Sequence, residues 1–295
     1  MHIDLYVAAA GLIVGFAVGL TGMGGGSLMT PILILLFGVQ PIAAVSSDLV
    51  ASLMMKPFGA AVHLRKHTVN WPLVLWLSAG SVPGALAGVF FLHTRGRGAA
   101  VQSSVQVALG IVLLASVTAV GIRWALERGR GDGATRGNNA PQVHAPRTLV
   151  IGAVVGFIVG VTSTGSGTLV VVMLLLLYPQ LRGSQVVGTD ITQAVPMVGA
   201  AALGHILFGD FRLGVTLSIV IGSIPGVLIG SSISAGSGTV LLRVALCTTL
   251  LVSGLKLLSV PPVGLGAAVL VLLVGLLVRW RVNTRVDAAR RCAER

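Results

Sequence analysis

One eighteen-residue phrase occurs twice in this chain. Residues 11–28 read GLIVGFAVGLTGMGGGSL and residues 152–169 read GAVVGFIVGVTSTGSGTL, and ten of the eighteen positions are identical at an offset of 141. Each copy is an apolar stretch broken by a run of small residues: Gly22, Gly24, Gly25 and Gly26 in the first, Ser163, Gly165, Ser166 and Gly167 in the second. Such a chain is built as two related halves. Paired apolar segments interrupted at matching depths are also the sequence pattern that points to a binding site in membrane carriers.

Composition decides the solvent. The chain is 55% hydrophobic and 9% charged, with a mean hydropathy of +0.97, whereas a soluble domain carries about 25% charged residues. Backbone groups in hydrocarbon must pair internally, which leaves helices or a closed barrel. Apolar runs near twenty residues exclude the barrel, whose strands alternate and run about 9–11 residues. The expected fold is therefore all-α, a polytopic transmembrane bundle of two repeated halves with broken or re-entrant first helices.

The net charge of +12 does not indicate nucleic acid. The basic residues sit between apolar segments, at Arg65 and Lys66, Arg95 and Arg97, Arg123 to Arg147 and Arg279 to Arg295. That placement fits loops facing the cytoplasm and anionic lipid. Cys247 and Cys292 alone form no metal motif or disulfide framework. The N-terminal stretch lacks a basic leader and runs into the repeat, so it reads as part of the first span.

Along the chain, residues 5–20 reach about 24 Å, short of the ~30 Å hydrocarbon core, and 27–38 form a second short piece. Residues 43–63, 71–92 and 99–122 read as full spans. Residues 123–147 are polar, Gly-rich and basic, the composition of a flexible linker. The second half repeats the plan, with pieces at 148–161 and 168–178 and spans at 186–206, 212–233 and 240–258. The expected organisation is a first repeat over 1–122, the linker 123–147, a second repeat over 148–260, an additional helix at 261–280 and a basic tail over 281–295. After one inserted residue near Tyr178-Pro179 the offset becomes 142. It then aligns Asp48 with Asp190, His63 with His205, and Gly80-Ser81-Val82-Pro83-Gly84 with Gly222-Ser223-Ile224-Pro225-Gly226.

These duplicated segments, the Asp at the start of the next span, the His at its end and the Gly-Ser-x-Pro-Gly of the third span resemble the sulfite exporter TauE/SafE family, also called the toluene-sulfonate uptake permease family. The resemblance covers about residues 5–260. It implies a multi-pass permease of the bacterial inner membrane that moves sulfite, sulfonates or related small organic anions. The second copy departs from the first at Ser163, Thr164 and Ser166, which replace Gly22, Met23 and Gly25.

The breaks are the first candidate site. A helix N-terminus after each would offer unpaired N–H groups and a positive dipole end to an anion, and Thr21, Ser27, Thr162, Ser163, Thr164, Ser166 and Thr168 would add hydroxyls. Helix packing calls for small residues at four-residue spacing, as in Gly11, Gly15 and Gly19, rather than for consecutive runs. Asp48 and Asp190 read either as helix N-caps or as intramembrane carboxylates that take a proton. His63 and His205 read as partners of helix C-terminal carbonyls or as proton sites. Lys56 falls inside an apolar span without a counterpart in half two, and must snorkel, pair or contact an anion. Pro83 and Pro225 read as hinges.

The function expected from these residues is alternating-access transport of a small anion held at the paired breaks. A passive anion channel or facilitator is the nearest alternative, and an intramembrane hydrolase using Ser27 and His63 a distant one, since no Gly-x-Ser-x-Gly elbow is present. No cofactor, no metal site, no nucleic acid and no enzymatic role are expected. The partners are a small anion and the bilayer, and the sequence leaves homo-oligomerisation open.

Overall fold

The computed structural model describes residues 5–21, 26–96, 98–129, 143–181, 183–208, 213–233 and 240–261. Gly22, Gly24 and Gly25, the side chain of Thr21, the centre of the linker at 130–142, and almost all of the expected extra helix and basic tail lie outside these residues. Every regular element among the described residues is an α-helix. In chain order they are α1 (Leu5–Thr21), α2 (Gly26–Leu35), α3 (Pro41–Arg65), α4 (Trp71–Arg95), α5 (Ala99–Gly129), α6 (Ala145–Thr162), α7 (Leu169–Leu177), α8 (Gly183–Phe208), α9 (Leu213–Ile233) and α10 (Val240–Leu257). Helix α5 thus runs seven residues into the polar segment, and α6 starts three residues before its end.

Five of these helices are long and apolar enough to cross a bilayer: α4, α5, α6, α8 and α9. Helix α3 is as long as α4, at 25 residues, but stands outside that set. Ser46, Ser47, Asp48 and Ser52 dilute its apolar character, and all four are buried. A helix of this kind is polar toward the protein, not toward lipid. Helices α2 and α7 have 10 and 9 residues, about 15 Å each, which is half the hydrocarbon thickness.

The halves interlock. Helix α1 packs along α9, α4 along α6, and α3 along α8, while α5 packs against α10. The sequence offset relates α1 to α6 and α9 to α4, so the first two interfaces are one interface occurring twice, and the contacts repeat residue for residue. A Cβ added at Gly15 would strike the backbone of Ser223, and one at Gly156 the backbone of Ser81. Gly222 and Gly226 face the carbonyls of Ala8 and Leu12, just as Gly80 and Gly84 face those of Leu149 and Ala153. Small residues let helix backbones touch in the absence of a hydrophobic driving force. Gly11 packs the same way, against the carbonyl of Ile219. The Gly-Ser-x-Pro-Gly segments serve this contact, and Pro83 and Pro225 lie within helices α4 and α9 beside it.

Candidate functional site

Helix α6 stops because the chain turns left-handed. Ser163, its C-cap, has φ 59°, followed by Gly165 at 108° and Gly167 at 93°. Glycine adopts that region freely, whereas a side chain is strained there. The segment Ser163–Thr168 then leads into α7, where Leu169 N–H donates to Gly165 O at 3.1 Å. Among the described residues the amides of Gly165, Ser166 and Gly167 donate no hydrogen bond. Successive N–H groups in such a turn form an anion-binding concavity.

The first break meets the second. The α-carbon of Gly26, at the start of α2, lies against the carbonyl oxygen of Ser163 and close to the Asp48 carboxylate. Thr164 Oγ1 donates to Gly26 O at 3.2 Å. The two breaks therefore share one site as far as the described residues extend.

Helix α3 supplies the charged groups. Asp48 is fully buried. Its Oδ2 accepts from Ser163 Oγ and from Thr30 Oγ1 of α2 at 3.3 Å, while its Oδ1 has no partner among the described residues. Two turns further on, half-buried Lys56 donates to Ser166 Oγ at 2.8 Å. Asp190, on α8, accepts from Gln193 Nε2 at 3.3 Å, and Gln193 Oε1 accepts from Ser81 Oγ at 3.2 Å. The N-cap reading of the two aspartates is overturned. Helix α3 starts at Pro41 and α8 at Gly183, so both carboxylates sit about two turns inside, beyond the reach of a capping side chain.

The hydroxyls of the second break are mostly committed to protein. Thr162 Oγ1 donates to Ile158 O at 2.7 Å, and Thr168 Oγ1 donates to Ser116 Oγ at 3.0 Å. Ser166 is different. It accepts from Lys56, and among the described residues its own proton has no acceptor. Ser27 is buried in the first turn of α2.

The histidines separate. His205 is buried. Its Nε2 donates to the carbonyl of Gly160 at 3.0 Å, in the last turn of α6, and its Nδ1 lies 2.9 Å from Ser46 Oγ. It therefore does pair with a helix C-terminal carbonyl, but that of another helix. His63 is half-buried and pairs with Thr68 Oγ1 at 2.9 Å. Thr68 stands beside Gly188, the residue that the offset aligns with Ser46, so a threonine hydroxyl supplies what a serine supplies on the other side. Thr30, Ser46 and Gln193 were not singled out in the sequence. The signal available was a hydroxyl or amide inside an otherwise apolar run. Among the described residues no group of three or more His, Cys, Asp or Glu side chains is placed to hold a metal.

The profile of the sulfite exporter TauE/SafE family matches residues 7–257. The probable membrane transporter protein YjnA of Bacillus subtilis (strain 168) is 40% identical over 250 residues, 84% of this chain and 97% of that protein. The probable membrane transporter protein y4hK of Sinorhizobium fredii (strain NBRC 101917 / NGR234) is 29% identical over 85% of this chain and 97% of its own length. No solved structure matches. With its all-helical fold, its membrane-length helices and this match over nearly the whole chain, the protein belongs to the sulfite exporter TauE/SafE family of multi-pass membrane transporters.

Proposed function

We propose that the protein is a permease of the bacterial inner membrane that moves a small monoanion such as a sulfonate or bisulfite, exposing one site alternately to the two sides. The observation that carries this reading is the set of donors around Ser166. Lys56 spends one of its three N–H groups on Ser166 Oγ. The Ser166 proton and the amides of Gly165, Ser166 and Gly167 have no acceptor among the described residues. Donors in surplus beside a fixed cation are what an anionic headgroup needs, and they are costly to leave unpaired in a low-dielectric interior. Of the first break, Gly26 is the described residue that touches Ser163.

The test is uptake of labelled methanesulfonate, 4-toluenesulfonate, sulfite and acetate into liposomes containing the purified protein. Saturable flux of the sulfur oxyanions, competed by one another, is the expected result. Protein-free rates for every anion would end the reading. A non-saturable flux that shows no countertransport would instead favour a channel.

A further inference from the structure

The interior contains few charges, and their count has a consequence. Of eight acidic residues in the chain, only Asp48 and Asp190 fall inside spans among the described residues, and Lys56 lies two turns along α3 from Asp48, with α8, which carries Asp190, packed against that helix. With both carboxylates ionised the cluster carries one negative charge, and with one proton bound it is neutral. A monoanion beside Lys56 adds one negative charge to whichever of these states it meets, and one proton taken up with it cancels that addition. Burying an uncompensated charge costs several kcal/mol, which a proton removes.

The geometry selects where that proton goes. Asp190 has its Oδ1 engaged by Gln193. Asp48 is fully buried, its Oδ1 without a partner among the described residues, and Ser163 joins its Oδ2 to the segment that carries Ser166. A hard metal cation would gather six or more oxygens, but the orphaned oxygens on this stretch of α3 are Asp48 Oδ1 and Ser47 Oγ. The neighbours of α3 add little charge. Helix α8 brings Asp190 and His205, α2 and α9 bring no ionisable residue, and α5 has Arg123, Glu127 and Arg128, all in its last two turns. On α6, Arg147 lies in the first turn, at the opposite end from Ser163.

We propose that Asp48 is the coupling site, taking one proton onto Oδ1 with each anion bound at Lys56 and Ser166 and releasing it when the anion leaves. This rests on the permease reading. The proton adds to the carboxylate and departs from it, and no other bond changes. One proton with one monoanion is an electroneutral cargo.

The test uses methanesulfonate and 4-toluenesulfonate, anions of strong acids that carry no proton themselves, with the full-length protein in liposomes. Expected at zero membrane potential is an accumulation ratio that rises about tenfold per unit of imposed pH gradient, and that a potassium-valinomycin potential does not alter. Asp48→Asn should lose this accumulation, and any flux it retains should not respond to the pH gradient. Wild-type accumulation that ignores the pH gradient, or follows sodium or the potential, overturns the proposal and leaves the permease reading standing. So does an Asp48→Asn variant that accumulates like the wild type. If the wild type moves neither probe, the permease reading fails and the proposal falls with it.

Discussion

The α-carbon of Gly26 faces the carbonyl oxygen of Ser163 with no room for a methyl group between them. One residue opens α2, the other closes α6, and 137 positions separate them in the chain. Gly26→Ala would have to push backbone from backbone. Such overpacking costs about 1–3 kcal/mol of stability and displaces the turn at Ser163, so anion flux should fall while the protein still enters the membrane. Gly98→Ala, with open space around it, serves as the control. Flux assays on both variants, normalised to membrane protein, check this.

Lys56 and Ser166 should contribute unequally. A hydrogen bond to a charged group is worth about 1.5–3 kcal/mol and a neutral one about 1. Lys56→Gln should therefore raise the half-saturating methanesulfonate concentration about tenfold to hundredfold, and Ser166→Ala about fivefold. Lys56→Arg keeps the charge but not the compact ammonium, and should fall between them. Initial uptake rates against concentration decide the order.

The two glycine interfaces should fail alike. Gly15→Leu and Gly156→Leu each drive a side chain into a serine backbone on the facing helix, Ser223 and Ser81 respectively. Both should abolish recovery of a monodisperse protein in detergent, read by size-exclusion chromatography. A variant that survives at one position but not at the other would show that the two interfaces differ in strength.

His205 should matter for stability more than His63. Removing the buried ring in His205→Ala leaves Gly160 O without its donor, while Ser46 Oγ keeps its bond to Ile42 O, a cost of about 1–3 kcal/mol. His63 is half-buried and water replaces its bond to Thr68, so His63→Ala should cost less. Thermal unfolding of the detergent-solubilised variants measures the difference. The ring of His205 also lines a cavity of about 340 Å³ that includes His93 and Phe208, so a new void there adds to the loss.

Much of this architecture was legible in the residues. The break at Ser163–Gly167 could be read because glycines crowd where the backbone takes positive φ. The full spans could be read from length and hydropathy. The pairing of Gly80 and Gly84 with α6 was not legible, because a stripe of small residues says that a helix will approach closely and not which helix. The aspartates could be read either as caps, since serine or threonine precedes each, or as proton sites. Three-dimensional placement put Asp48 two turns inside its helix, where its neighbour Ser163 comes from the other half of the chain. No local pattern encodes a hydrogen bond across 115 residues. Thr30 and Ser46 were hidden for the same reason: a lone hydroxyl in an apolar run has no signature until its acceptor is known.

The crosswise packing of α1 on α9 and of α4 on α6 limits how such a carrier can open. A gate that swung residues 1–122 away from residues 148–260 would have to pull apart two seams where main chains already touch. In the alternating-access reading proposed above, each moving body would instead borrow helices from both ends of the chain. Neither repeat, expressed by itself, would find its companion surface unless a second copy supplied it.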